Sequence, residues 1–300
     1  MLDISLAVPT PPPSRDLGLA APLESQGWRA HLALTLAAKH GRTRIVGRSH
    51  FGPLAVQRPF YPEGEVCHVL LLHPPGGMVG HDKLNVEVDA RANAHALFTT
   101  PGANKIYKSD ARTVNQLQTL RITERSSVEW LPQPLIVYNG AHARLQTDIV
   151  LDAESRFIGW DIVCLGRPAA GERFEQGDLF QTIKLQRAGS KTRYLESWHL
   201  AGGGPALSAP WGLRNQPVVG TMLATPCSQA DLEVAREACA GWQQQHRDLQ
   251  VASTLIGDLI VTRILAAGIE TASNALEFIW CALREPVLGR AAHRPRIWNT

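Results

Sequence analysis

The sequence predicts a mainly β protein made of many short strands, with two α-helices near the C-terminus. Three observations support this. Apolar and polar residues alternate from Trp28 onward, with Ala30, Leu32, Leu34 and Leu36 set against Arg29, His31, Ala33 and Thr35, the period of a half-buried strand. Turn-forming residues then recur, as Gly-Pro at 52–53, Pro-Pro-Gly-Gly at 74–77, Pro-Gly at 101–102 and Asn-Gly at 139–140. Strand candidates spaced by roughly ten residues point to a sandwich, a barrel or stacked sheets. The last third of the chain changes to a helical period.

Taken in order, Gly41 turns the first strand into a second over Thr43–His50. Further strands are expected at Cys67–Leu72, Leu84–Asp89, His95–Thr99, Leu117–Thr123, Ser127–Leu131, Arg144–Leu151, Phe157–Leu165, Leu179–Gln186 and Arg193–Leu200. No fixed internal repeat is present, so a regular β-solenoid is not supported. Gly202-Gly203-Gly204-Pro205 marks a loop where a subdomain boundary could fall. Ser228-Gln229-Ala230-Asp231 reads as a helix cap with an acid in the first turn. Leu232, Ala235, Ala238, Cys239 and Trp242 follow at helical spacing. Val251–Leu255 and Leu259–Leu265 read as two strands. Thr271 opens a second helix, with Ala272, Ala275, Leu276, Ile279 and Trp280 on one face and Pro286 as its stop. Residues 1–26, with Val-Pro-Thr-Pro-Pro-Pro at 8–13, read as a Pro-rich flexible leader, and residues 27–300 as a single β-rich domain.

The composition, 44% hydrophobic and 19% charged, is that of an ordinary globular protein. A net charge of +3 without a dense basic run predicts no nucleic-acid footprint. No segment approaches the ~18 uninterrupted apolar residues of a membrane span. Met1-Leu2-Asp3-Ile4 lacks the basic start of a secretory signal. Cys67, Cys164, Cys227, Cys239 and Cys281 are odd in number and widely spaced. That argues against a disulfide framework or a structural zinc site and fits a cytoplasmic location. Each reads as a small buried hydrophobe. Walker A, nucleophile-elbow, H-E-x-x-H and EF-hand patterns are all missing, which weighs against the usual hydrolases and NTPases.

The densest chemistry lies between Tyr61 and Asp82, where Glu63, Glu65, His68, His73, His81 and Asp82 accumulate. Such groups suit Ni²⁺ or Zn²⁺, but the spacing matches no closed site, and hydrogen bonding is the simpler role. Three more acids sit inside apolar strand patterns: Glu129, Asp161 and Glu196. One such acid reads as solvent-facing. Three of them, with Asp82, suggest a wet interior, because a buried carboxylate needs pairing, water or a metal. Clustered acids there would serve as a cation path or an acid–base pair.

Several long segments resemble one family. They are Val56-Gln57-Arg58-Pro59-Phe60-Tyr61-Pro62-Glu63, Cys67-His68, Leu71-Leu72-His73-Pro74-Pro75-Gly76-Gly77, Thr100-Pro101-Gly102-Ala103-Asn104-Lys105-Ile106-Tyr107, Glu129-Trp130-Leu131-Pro132-Gln133, Trp160-Asp161-Ile162-Val163-Cys164-Leu165-Gly166-Arg167-Pro168 and Pro295-Arg296-Ile297-Trp298. Together they are similar to the urease accessory proteins UreD (UreH), over roughly residues 27–299. The resemblance implies a helical, stacked arrangement of strands with two α-helices. It also implies a chaperone that acts with UreF and the GTPase UreG on apo-urease to deliver nickel, with no cofactor of its own beyond Ni²⁺ in passage. It assigns Asp82, Asp161 and Glu196 to an internal acidic route, and Glu65 more weakly. His81 stands where the family usually has Gly, and so either adds a ligand or reshapes the turn. Asn139 replaces a common acid and takes no metal role. Trp198, Trp211, Trp242 and Trp298 are candidate partner anchors, with core packing as the plainer reading. The competing reading is a β-rich hydrolase using paired carboxylates such as Asp82 and Glu196.

Overall fold

The computed structural model describes residues 27–188 and 193–299, so the leader expected over 1–26 lies outside the described residues. In chain order the elements are β1 (Arg29–Lys39), β2 (Arg42–Phe51), β3 (Ala55–Val56), β4 (Cys67–Leu72), β5 (Lys83–Arg91), β6 (His95–Thr99), β7 (Asn104–Ile106), β8 (Val114–Ile122), β9 (Ser127–Trp130), β10 (Leu135–Val137), β11 (Ala141–Leu151), β12 (Arg156–Leu165), β13 (Gly177–Arg187), β14 (Arg193–Ala201), the one-turn helix α1 (Pro205–Ser208), β15 (Val218–Thr225), α2 (Gln229–Gln245), β16 (Gln250–Ile256), β17 (Leu259–Ala266) and α3 (Ile269–Leu288).

The strands form two stacked sheets. The first runs β14-β13-β11-β8-β5-β1-β2, and the second runs β16-β17-β15-β12-β9-β6-β4-β3, with β7 and β10 paired beside β12. The chain shuttles between them. β5, β8, β11 and β13 pair in parallel in the first sheet, while β4, β6, β9 and β12 pair in parallel in the second. Each crossing adds a rung to a coil, the stacked arrangement that the family resemblance implies. Rungs of the first sheet begin at Lys83, Val114, Ala141 and Gly177. Their unequal spacing is why the coil leaves no repeat in the sequence. Pro132 and Pro134 separate β9 from β10, because proline cannot donate to a ladder.

Two hydrophobic cores hold three layers together. Inward side chains of both sheets, among them Leu32, Val86, Leu120, Ile149 and Phe157, fill the space between them. The other face of the second sheet carries α2 and α3, through Ile158, Trp160, Met222, Leu276 and Trp280. β12 and β15 are therefore covered on both faces and read as apolar runs rather than alternations. β15 has no counterpart among the expected strands.

The helices match the expected order of helix, strand, strand, helix. Ser228 caps α2 in a capping box with Asp231. Pro286 does not stop α3, as was expected, but lies inside its last turn. Gly289, at φ 70°, ends the helix and donates its N–H to the Glu285 carbonyl, a terminating bond that needs nothing from the proline nitrogen.

Candidate functional site

The register of both sheets brings a set of polar side chains face to face. In the first sheet Gln118, Thr147, Ile183 and Glu196 are lateral neighbours on β8, β11, β13 and β14. In the second, Asp161, Thr221 and Arg263 are lateral neighbours on β12, β15 and β17. These rows enclose a polar seam inside an otherwise apolar stack.

Three spaces follow one another along the seam. An internal cavity of about 50 Å³ is lined by Gln116, Gln118, Gln146, Thr147, Asp161 and Gln181, among others. A smaller void of about 10 Å³ shares Thr147 and Asp161 with it and adds Trp130 and Thr221. Thr221 in turn borders an outer cleft of about 750 Å³, together with Glu196, Trp198, Trp211 and Arg263. The inner cavity is polar and exceeds the ~10–15 Å³ that one water needs. The side-chain oxygen of Gln181 and the indole nitrogen of Trp130 are buried without protein partners, so both have hydrogen-bonding capacity to offer an occupant.

Asp161 lies deep between the sheets yet keeps accessible surface, because it faces this interior space. Burial pushes its carboxyl up to about 7, the nearby Glu196 charge adds to the rise, and a hydrogen bond with Thr147 opposes it. The Gln118 side-chain oxygen, 3.2 Å from the Thr147 hydroxyl, is a second acceptor for that single hydrogen. Glu196 is 9% exposed. It accepts hydrogen bonds from the Tyr194 hydroxyl, from Thr221 at 3.5 Å and from the Arg263 guanidinium at 3.2 Å. Burial, then the Glu196 contact, raises the Tyr194 phenol. Arg263, with 60% of its side chain exposed, is the counter-charge where the seam meets the cleft.

The other expected site residues lie elsewhere. Asp82 is buried at the entry to β5, where it accepts backbone N–H bonds from Trp28 at 2.7 Å and Val79 at 2.8 Å. It thus holds a turn and does not pair with Glu196, so the paired-carboxylate arrangement of a hydrolase is not formed by those two residues. Glu65 is half exposed and pairs with Arg290. His81 is exposed at φ 72°, a left-handed conformation that explains why glycine suits this position. Its N–H donates to the Thr113 carbonyl.

Glu129 faces the helices rather than the seam. Arg284, fully buried, donates two hydrogen bonds to it at 2.9 Å and two to Glu63 at 2.7 and 2.8 Å. Trp280 donates to it at 2.8 Å, and His68 lies 2.6 Å from Glu63. Burial would raise the Glu63 carboxyl, but hydrogen bonds with His68 and Arg284 outweigh it and bring it down to about 2. This network ties α3 to the sheet. The glutamines and Thr147 of the seam were not expected from sequence. Glutamine at inward strand positions (116, 118 and 181) was the available signal.

Of the four candidate anchor tryptophans, Trp211 is 75% exposed. Trp298 donates to Thr99 at 2.8 Å and packs on Trp160 and Trp280, whereas Trp242 stacks on His246. Trp198 packs against the core between the sheets. Burial raises all five cysteine thiols, Cys67 and Cys164 to about 11 and Cys227 to about 12, as suits packing rather than metal binding. Among the described residues no group of three or more His, Cys, Asp or Glu side chains is placed to hold a metal ion, and no helix is long and apolar enough to cross a membrane.

Fold and seam thus define a parallel β-coil scaffold with a polar seam between its sheets. The UreD urease accessory protein family model matches residues 28–299. A urease accessory protein UreD from Pseudomonas entomophila (strain L48) is 40% identical, covering 99% of this chain and all of the relative. One from Azoarcus sp. (strain BH72) is 41% identical over 91% of this chain and 95% of its own length. One from Escherichia coli is 38% identical over 91% and 98%. The chain belongs to the UreD family of urease accessory proteins. Membership places it among non-catalytic accessory proteins.

Proposed function

We propose that this protein acts in the cytoplasm as a nickel conduit and scaffold in urease maturation. In this reading it joins UreF, and through it UreG, on apo-urease. The supporting observation is the succession of spaces from the glutamine-lined cavity past Asp161 and Thr221 to Glu196 at the cleft. The passing ion is cargo, so it must bind and leave. Each tenfold gain in affinity deepens the trap by about 1.4 kcal/mol. Two separated carboxylates, with amide and hydroxyl oxygens between, make shallow steps, whereas thiolates or grouped imidazoles would hold Ni²⁺ tightly. The seam's negative groups also concentrate cations inside a narrow low-dielectric space.

Burial favours the protonated form of Asp161, and an arriving cation favours the ionised form. Asp161→Ala and Glu196→Ala are expected to leave folding and assembly with UreF intact while slowing urease activation. Activity of urease co-expressed with each variant, alongside size-exclusion profiles of the complex, provides the measurement. Normal activation by both variants would discard the conduit and leave only the scaffold.

A further inference from the structure

At one end of the coil the first sheet stops at β2, whose outer edge pairs with no strand among the described residues. The second sheet stops there at the two-residue β3. A groove of about 630 Å³ lies between the two ends, lined by residues 44–48 of β2 with Arg42 on one side, and by residues 56–59 with Tyr61 on the other. Successive strand side chains point to opposite faces. A bulge at Val46, between the Gly47–Thr35 and Ile45–Leu36 pairs, breaks that alternation, so the wall formed by residues 44–48 includes the outer edge of the strand as well as side chains of its face. The groove thus runs along unpaired backbone N–H and C=O groups.

Its charge is one-sided. Arg42, Arg44, Arg48 and Arg58 line it, and no Asp or Glu does. Arg42 stacks over Tyr61 at 4.6 Å. None of the four has a carboxylate partner among the described residues, whereas Arg167, Arg187, Arg284 and Arg294 each face one. Native edges are often guarded by charge, most often lysine. Guanidinium differs from ammonium in matching a carboxylate with two parallel hydrogen bonds.

We propose that β2 is a docking strand for an extended, carboxylate-rich segment of a protein partner. The segment adds to the first sheet as a further strand, its backbone bonding to the β2 edge and its acidic side chains lying among Arg44, Arg48 and Arg58. Main-chain bonds supply affinity in such strand addition, and side chains supply the choice of partner.

The test uses the full chain and a fluorescent peptide of alternating Glu and Val, read by anisotropy. Binding is expected, and Arg44→Glu with Arg48→Glu should weaken it at least about tenfold, the loss that removing such charge-assisted pairs produces. Both positions are half buried or exposed, and a melting curve checks that the variant is folded. Two further peptides carry N-methyl groups on alternate backbone nitrogens, in opposite phases. Strand addition predicts that one phase binds like the parent and the other fails. Equal behaviour of the two phases overturns the proposal, because it leaves only anion attraction. So does binding that ignores the arginines. Inorganic polyphosphate binding more tightly than the peptide, through the same arginines, would make the groove a phosphate site and also overturn it.

Discussion

Asp161 and Glu63 show how placement sets the direction of a carboxyl shift. Asp161 is held near 7 by burial and Glu196, so the folded protein binds its proton more tightly than the unfolded chain does. Its contribution is favourable at low pH and is lost as pH rises from about 4 to 7. Asp161→Asn should therefore stabilise the protein by roughly 2–4 kcal/mol above about pH 8 and by little near about pH 4. Thermal melting of both proteins across that range checks it, and a gain independent of pH would contradict it. Glu63 behaves in the opposite sense. Its folded value of about 2 lies below the ordinary one, so its stabilisation is complete above about pH 4.5 and disappears as pH falls toward 2. Acid titration of Glu63→Gln should show a flatter loss of stability over that interval than the parent.

Among the elements, α3 depends most on a single contact. Arg284 joins it to β9 through Glu129 and to the turn before β4 through Glu63. Arg284→Leu leaves the buried Glu129 and the partly buried Glu63 without this cation, a change expected to cost about 3–5 kcal/mol. Adding Glu63→Gln and Glu129→Gln should recover part of that loss, because the uncompensated charges are then gone. Urea denaturation of the three forms measures both steps. The cap of α2 is a smaller contribution. Ser228→Ala removes the side-chain oxygen that accepts from Asp231 and should cost about 1 kcal/mol. These elements were legible in sequence because caps and helical spacing are local. The end of α3 was misplaced at Pro286, since the αL geometry of Gly289 outweighs the helix-breaking tendency of a proline in the last turn.

For the molecule as a whole, the proposed conduit role would set stability against function in the seam. Gln118, Thr147, Asp161 and Thr221 occupy positions that an apolar core would fill. At about pH 5, where Asp161 carries its own proton and does not rely on the Thr147 hydroxyl, Gln118→Leu with Thr147→Val removes both partners of one buried hydrogen bond, a change that is nearly neutral or stabilising. The double variant should melt at or above the parent temperature yet activate urease more slowly. A variant that activates urease normally would show that these side chains do not serve the passage.

Most strand positions, the turns, the capped helix and the missing catalytic motifs could be read from the chain, because each depends on residues close in sequence, whereas the short β3, β7 and β10 and the doubly covered β15 could not. The family could be read as well, since its motifs are long and colinear. Which acids meet could not. Glu129, Asp161 and Glu196 share one local pattern, an acid near a tryptophan in a strand. The face of the strand and the partners brought from afar separate them. Glu129 turns toward α3 and meets Arg284, 155 positions away, whereas Asp161 turns toward the first sheet and meets Thr147 and Glu196. Long-range register decides whether a buried carboxylate finds a cation, a backbone amide or a polar cavity, because each of those partners comes from a strand or helix far away in the chain.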